Sequence, residues 1–567
     1  MASLGPGPQP FTGPSPGVHL RVVPASDPDS SVDPDPSTSR TEHPVSHSPD
    51  ALPGPVAAGL SRRRLLQGAA VLGAGIGLGA LGGTAPAALG APGLLRSRPE
   101  VRWGVQTGDV TARSAVVWSK TDRPARMLVE VAATADFRRP RGRWRVDVGP
   151  DTDHTGKVLL DGLPAGTELF YRVHFDDDGQ TSEPVLGRLR TAPRDRRDVT
   201  FAWSGDVAGQ GWGINPDTGG MTGFEAVRRL QPDFFVHSGD NVYADGPLQE
   251  RVVLPDGRVW RNVVTPEKSK VAETLDEYRG QYRYNLLDAN VRALAAEVPL
   301  LVQWDDHEVT NNWYPGEVLT DERYTVTDVD TLAARARRAF GEYTPIGGDR
   351  VQRALSYGPL VEVVALDLRS HRGPNTDNLA AEGPGTVLLG EDQLARVSRQ
   401  LRTSRALWKV VASDMPIGLV VPDGEVAQEG IANRDPGRPA GRETEIARLL
   451  SDLQRHGVRN VVWLTADVHY TAAHHYSPER AAFDDFDPFW EFVTGPLHAG
   501  TFGPSELDGT FGPRVVFSRT GARAGEEPND SSQFLGHVRI DGDSGVMTVE
   551  LRDVGGRVLH RTDLTPS

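Results

Sequence analysis

The sequence predicts an α/β protein with a small all-β domain ahead of it. Three observations carry that expectation. Beyond Val199, short apolar runs alternate with polar loops and with stretches of helical period, as strands and helices in turn should. Between residues 101 and 193 the runs are short and alternating, separated by Gly, Pro, Asp and Thr. In the longer region, strand after strand ends in an aspartate, where active-site loops leave an open α/β sheet.

Composition narrows the field. The 567 residues suit two or more domains, and the 38% hydrophobic content is that of a globular chain. A net charge of −15 leaves no broad basic face, so no nucleic-acid partner is expected. The chain has no cysteine. Disulfides and thiolate metal sites are thereby excluded, and any metal must sit on oxygen or imidazole.

Residues 1–60 hold 13 of the 44 prolines and show no apolar period, so disorder is expected there. Ser61-Arg62-Arg63-Arg64 then heads an apolar run to about Gly83, followed by Ala85-Pro86-Ala87. Basic, apolar and small residues in that order make a secretory signal, placed at 61–91. Its paired arginines resemble a twin-arginine (Tat) signal, which implies the Tat export machinery as a partner and a secreted or cell-surface location. The apolar run is too short and too Gly-rich for a stable membrane span.

Ala115–Trp118, Met127–Val131, Lys157–Leu160 and Leu169–Val173 read as strands of an all-β sandwich over 99–193. Leu163-Pro164-Ala165-Gly166-Thr167 ahead of Tyr171 is similar to the loop before the core tyrosine strand of fibronectin type III modules. Trp118 and Tyr171 are expected in the core. A polar run, Arg194–Asp198, joins this domain to a second one over 199–567.

There Thr200–Trp203 is a strand ending in Ser204-Gly205-Asp206, and a helix is expected from Gly223 to Leu230. Phe234–Val236 leads to Ser238-Gly239-Asp240, with Tyr243 and Asp245 on the same loop. Residues 266–297 carry a helical period with Leu275, Tyr278, Tyr282, Leu286 and Leu294 as core positions. Pro299–Trp304 ends in Asp305-Asp306-His307-Glu308, and Val361–Leu366 in Asp367, Arg369, His371 and Arg372. Trp408–Ala412 ends in Ser413-Asp414, and Asn460–Leu464 leads to Asp467-Val468-His469.

One aspartate after a strand usually starts a turn or caps a helix. Asp206, Asp240, Asp306, Asp367, Asp414 and Asp467 all take that place, and so many fit that account poorly. Tips of adjacent strands converge on one rim, where unpaired carboxylates repel and raise each other's pKa values. Bound cations remove that cost. Oxygen ligands favour Ca²⁺, Mg²⁺, Mn²⁺ or Fe³⁺.

The order Gly-Asp-x-x-Tyr, Asp-His-Glu, Asp-x-His resembles the calcineurin-like metallophosphoesterases. Ser204–Gln210, Ser238–Tyr243, Trp304–Glu308 and Ala466–His469 are similar to the landmarks of their PhoD branch of secreted phosphatases and phosphodiesterases. The resemblance implies a β-sandwich flanked by helices (αββα) and two neighbouring metal sites. Asp240 would bridge both ions, with Asp206, Tyr243 and His469 completing the first site. Asp306, Asp467 and Asp414 would hold the second. Fe³⁺ and Ca²⁺ are the implied ions, with Mn²⁺ or Zn²⁺ as alternatives. Many PhoD-type enzymes use a cysteine in the first site, a role left here to Asp206. A metal-bound hydroxide would attack phosphate mono- or diesters, small molecules or cell-wall and phospholipid diesters. His307 would stabilise the transition state or protonate the leaving group, or else orient a ligand, and Arg369 would grip phosphate oxygens. The competing reading is a secreted calcium-binding adhesion protein, against which stands the lack of any internal repeat.

Overall fold

Side chains along the central strands alternate between two apolar environments, and this alternation sets the architecture. Phe201 and Trp203 point to one core and Ala202 to another; Phe234 and Val236 are likewise separated from Phe235. In a second sheet Val363, Val410 and Val462 share the first core, while Val364, Val411 and Trp463 face helices. Two sheets therefore stack on a common core, and each carries helices outside: an αββα sandwich. The computed structural model describes residues 97–567. The disorder expected at 1–60 and the export signal expected at 61–91 fall outside the described residues. Among the described residues, no helix is long and apolar enough to cross a membrane.

The first sheet runs Val558–Leu564, Met547–Asp553, Phe534–Ile540, Val199–Ser204, Phe234–Ser238, Leu300–Gln303, Val105–Gly108, Ala115–Lys120, Thr155–Leu160. The second runs Arg353–Tyr357, Val361–Ala365, Trp408–Ala412, Val461–Thr465, Phe489–Val493, Thr471–Tyr476, Pro513–Arg519. The helical stretch expected at 266–297 forms two helices, Leu275–Asn285 and Ala289–Glu297. Asp288 breaks it, because its carboxylate caps the second helix through Asn290 N at 2.8 Å and Val291 N at 3.2 Å. Tyr278, Tyr282, Leu286 and Leu294 are buried as expected, and Leu275 is half-buried.

The N-terminal β-rich part is present. Ala115, Val117, Val158 and Leu160 pack against Met127, Val129, Tyr171 and Phe175 of a separate sheet built on Ala125–Ala132 and Glu168–Asp177. One of its layers, however, also continues the first large sheet, since Val105–Gly108 lies parallel beside Leu300–Gln303. Residues from Arg96 onward accordingly form one compact unit. Such pairing is made by backbone groups and leaves no side-chain pattern to read.

The junction is tight at Gly108. A Cβ there would lie 2.5 Å from the Pro345 carbonyl oxygen and 2.7 Å from that of Leu300. Backbone cannot give way as a flexible side chain can. Gly108→Val is expected to lose about 1–3 kcal/mol in urea unfolding. Unchanged stability would mean that the two parts are joined less rigidly than the pairing indicates.

Candidate metal centre

Parallel register brings the strand ends together. Phe235 pairs with Ala202 and Leu300, and Ser238 with Gln303, so the loops carrying Asp206, Asp240 and Asp306 leave one rim. Ala365, Ala412 and Leu464 are in register across the second sheet, which places Asp414 and Asp467 on the facing rim. Gln303 stitches the rims, its amide donating to Leu366 O at 3.1 Å and Ala412 O at 3.0 Å. Trp304 Nε1 donates to Asp367 Oδ1 at 3.0 Å. Asp367 also accepts from Arg369 N and Ser370 N, so this strand-end aspartate is an ordinary turn residue.

Four residues of the site hold left-handed backbone: Asp206 (φ 64°), Asp240 (φ 47°), Asp467 (φ 67°) and His469 (φ 56°). That conformation is uncommon outside glycine, and strain of this kind collects at functional sites. Val207 N donates to Asp240 O at 3.0 Å and Ala466 N to Asp414 O at 2.9 Å, tying the loops to one another.

The result is three overlapping sets of donors: Asp206, Asp240 and His469; Asp240, Asp306 and His307; Asp305, Asp306 and Asp467. Within each set the donor atoms lie within 4.8 Å of one another. Asp240 belongs to two sets, as a bridging carboxylate would. Burial pushes Asp240 well above the usual carboxylate range, and Asp306, Asp305, Glu308 and Asp206 push it further. Asp467 is raised in the same way, by burial and then Glu429 and Asp305.

Tyr243 is buried, and its hydroxyl lies 2.9 Å from His469 Nε2. His469 Nδ1 faces Gly500 O at 2.5 Å. A carbonyl only accepts, so Nδ1 carries the proton and Nε2 keeps its lone pair, 3.3 Å from Asp206 Oδ1. Burial, then Asp240 and Asp206, hold the Tyr243 phenol well above its ordinary pKa. His307 stacks on Tyr243 at 4.1 Å between ring centres. Its Nδ1 meets Asp245 Oδ1 at 2.8 Å, and its Nε2 lies 3.8 Å from Asp306 Oδ2. Burial opposes its charging, yet Asp245 and Asp306 outweigh burial and lift it to about 10.

Two of the expected site residues, Arg369 and Asp414, have their nearest charged partners within the protein. Arg369 is fully buried, not open to a substrate phosphate. Its guanidinium lies 2.5 Å from Asp305 Oδ1 and 2.5 Å from Glu429 Oε1, with Asp306, Asp414 and Asp467 within 4.0 Å. It is the counter-ion beneath the carboxylates. Asp414 falls outside all three donor sets. It is fully buried beside Asp305, 3.8 Å from Arg369 Nε, and burial raises it well above its ordinary pKa.

Three residues were not singled out from the sequence. Asp305 joins the third donor set. Glu308 accepts from Asp305 N at 2.7 Å and from Asn241 N at 2.5 Å, pinning two ligand-bearing loops together. Glu429 partners Arg369 and Arg372. Asp305 and Glu308 sit within the Asp-Asp-His-Glu run, where the signal was available. Glu429 has no such signal.

Two stacked sheets, helices outside and a carboxylate-lined rim define a hydrolase of the metallophosphoesterase type. Residues 201–551 match the PhoD-like phosphatase family and residues 87–193 match that family's N-terminal domain, so the chain belongs to the PhoD-like phosphatases. It is a phosphoric ester hydrolase. It is 27% identical over 433 residues to alkaline phosphatase D of Bacillus subtilis (strain 168), covering 70% of either chain. Its fold is similar to the structure of PhoD, at a TM-score of 0.63 and 21% identity, covering 84% of this chain and 90% of that one. It is also similar to purple acid phosphatase PPD1 from yellow lupin (Lupinus luteus) seeds, at a TM-score of 0.53 and 13% identity, covering 83% and 74%.

Removing Arg369 would leave Asp305 buried without its counter-ion and Glu429 with Arg372 alone. Arg369→Met is expected to cost about 3–5 kcal/mol in chemical unfolding, and Arg369→Lys less. A fully stable Arg369→Met protein would show that those carboxylates are already neutral.

Proposed function

We propose that this chain is an exported phosphatase acting on phosphate mono- and diesters at a two-metal centre that holds Fe³⁺ and Ca²⁺. The observation that carries the reading is the sharing of Asp240 between two adjacent donor sets. The residues fit cations. Asp206 Oδ2 and Asp306 Oδ1 are buried with no hydrogen-bond partner, as ligand atoms awaiting an ion would be. Asp206, Asp240, Tyr243 and His469 would hold the first ion, and a phenol among them suits Fe³⁺. Asp240, Asp306 and Asp467, drawn from the two neighbouring sets that share Asp306, would hold the second, and their carboxylate oxygens suit Ca²⁺.

When bound, such a pair supplies Lewis acidity, drawing charge from phosphate oxygens and lowering the pKa of water. The chain's own groups do the rest. Gly500 O holds His469 in the tautomer that presents a lone pair. Asp245 fixes His307 through Nδ1, so the Nε2 proton points into the rim beside Asp306. From there His307 can protonate the leaving oxygen or steady the charge that develops on it. Arg369, too deep to reach substrate, keeps Asp305 ionised and in place. The basic-apolar-small order at 61–91 supports export through the Tat route, and substrates met outside the cell would include cell-wall and phospholipid diesters as well as small esters.

Elemental analysis of the purified protein is expected to find iron and calcium. Chelation should abolish release of p-nitrophenol from its phosphate mono- and diester, and adding the two metals back should restore it. Asp240→Asn is expected to lower both metal affinity and turnover by more than about 100-fold, beyond what loss of an outer partner costs. A metal-loaded, fully active Asp240→Asn enzyme would overturn the bridging role. A wild-type protein silent on both esters with every metal tried would overturn the catalytic reading.

A further inference from the structure

Most Phe, Tyr and Trp side chains of the described residues are buried or half-buried. Among the described residues only Phe502 is an exposed aromatic, at 37%. It is not placed at random. Its ring lies 5.2 Å from the ring of His469, which is itself only 4% exposed. Phe502 therefore touches the imidazole of the candidate centre with part of its ring and leaves the rest to solvent.

The backbone beneath Phe502 is firmly held. Phe502 N donates to His469 O at 3.1 Å. Two residues earlier, Gly500 O is the acceptor that orients His469 Nδ1. Gly525 N donates to Thr501 O at 2.7 Å, and Thr501 Oγ1 to Arg523 O at 3.2 Å. On the other side Ser505 N donates to Tyr470 OH at 3.3 Å, and Gly503 packs so closely on the Tyr470 ring that a Cβ would lie 2.4 Å from it. The segment 500–505 is thus a strap clamped at both ends, with one exposed ring at its middle. Water contact over an aromatic face is unfavourable, and the clamp prevents the ring from turning inward. Its free surface stays beside the centre.

Resting on the phosphatase reading above, we infer that Phe502 is a specificity-determining residue, the platform for the alcohol side of the ester, and that it favours aromatic leaving groups. The phosphate end is polar and is handled by the carboxylate-lined rim and its ions. On this inference the alcohol end would lie on the His469 side of the rim against the Phe502 ring, where an aryl group would gain ring–ring contact that a glycerol or short alkyl group does not.

The test compares phenyl phosphate with glycerol phosphate on the metal-loaded full chain. For Phe502→Ala the ratio of kcat/KM, aryl over alkyl, is expected to fall about three- to tenfold, the scale of one aromatic pair. Phe502→Tyr should keep the ratio, and metal content should be the same in all three proteins. An unchanged ratio in Phe502→Ala overturns the inference, as does loss of metal in that variant. A second measurement does not depend on turnover. Calorimetry should show phenylphosphonate binding wild type more tightly than methylphosphonate, with the difference lost in Phe502→Ala. Equal affinities in wild type overturn the platform, whereas unequal affinities without turnover sustain it and count against the phosphatase reading alone.

Discussion

Buried carboxylates crowd one rim of this protein with too little positive charge from the chain to balance them. Arg369 lies within 4.0 Å of Asp305, Asp306, Asp414, Glu429 and Asp467, and Arg372 adds only a contact of 3.3 Å to Glu429. Moving an ionised carboxylate out of water costs several kcal/mol unless it is paired and hydrogen-bonded. One guanidinium cannot serve so many. Asp240 accepts a hydrogen bond from His307 N at 3.3 Å, and burial together with Asp306, Asp305, Glu308 and Asp206 disfavours its charge. Burial and the neighbouring carboxylates accordingly raise Asp240, Asp414 and Asp467 well above the ordinary carboxylate range. A cation bound at the rim would offset that repulsion, so metal binding and folding would draw on the same free energy.

The rest of the fold serves to hold that unfavourable arrangement. Two sheets could slide or splay under the repulsion if only apolar packing joined them. Gln303 and Trp304 prevent this, crossing from one sheet to the strand ends of the other. Trp203 Nε1 adds a further link to Thr465 O at 3.3 Å. Glu308 does the same for the loops, and left-handed backbone at Asp206, Asp240, Asp467 and His469 is sustained by these ties. Stability spent in this way is recovered in the large shared core, where both sheets and the N-terminal strands contribute side chains.

Much of this was legible in the sequence, and the reasons differ between residues. Asp206, Asp240, Asp306 and Asp467 stand directly after apolar runs, and parallel strands must end on one side of a sheet, so their meeting followed from strand geometry. Tyr243 shares a short loop with Asp240 and His469 closely follows a strand-end aspartate, and the family likeness gave both their expected places in the first site. Asp414 and Arg369 follow strands by the same rule, yet the rule says nothing of depth. The second sheet carries both beneath the rim, where Arg369 serves as counter-ion. Glu429 lies in the stretch between Ala412 and Glu443, which holds only two-residue strands. No periodicity exists there to read. The continuity of the N-terminal strands with the large sheet was invisible for another reason, since edge pairing is made by peptide groups common to every residue.

Asp206 is fitted closely into the packing around it. Its Oδ1 faces His469, while Oδ2 points at Gly495, where a Cβ would sit 2.2 Å away. A carboxylate needs that space because it presents two oxygens on a branched end. Leu497 N donates to Gly205 O at 2.8 Å and His498 N to Asp206 O at 3.1 Å, so the segment carrying Gly495 is bound along the same loop. With no cysteine in the chain, a hard oxygen ligand is available at this position and a soft sulfur ligand is not. Hard ligands select hard, highly charged ions. The glycine at 495 and the aspartate at 206 therefore belong together, since only a residue without a Cβ leaves room for the second carboxylate oxygen.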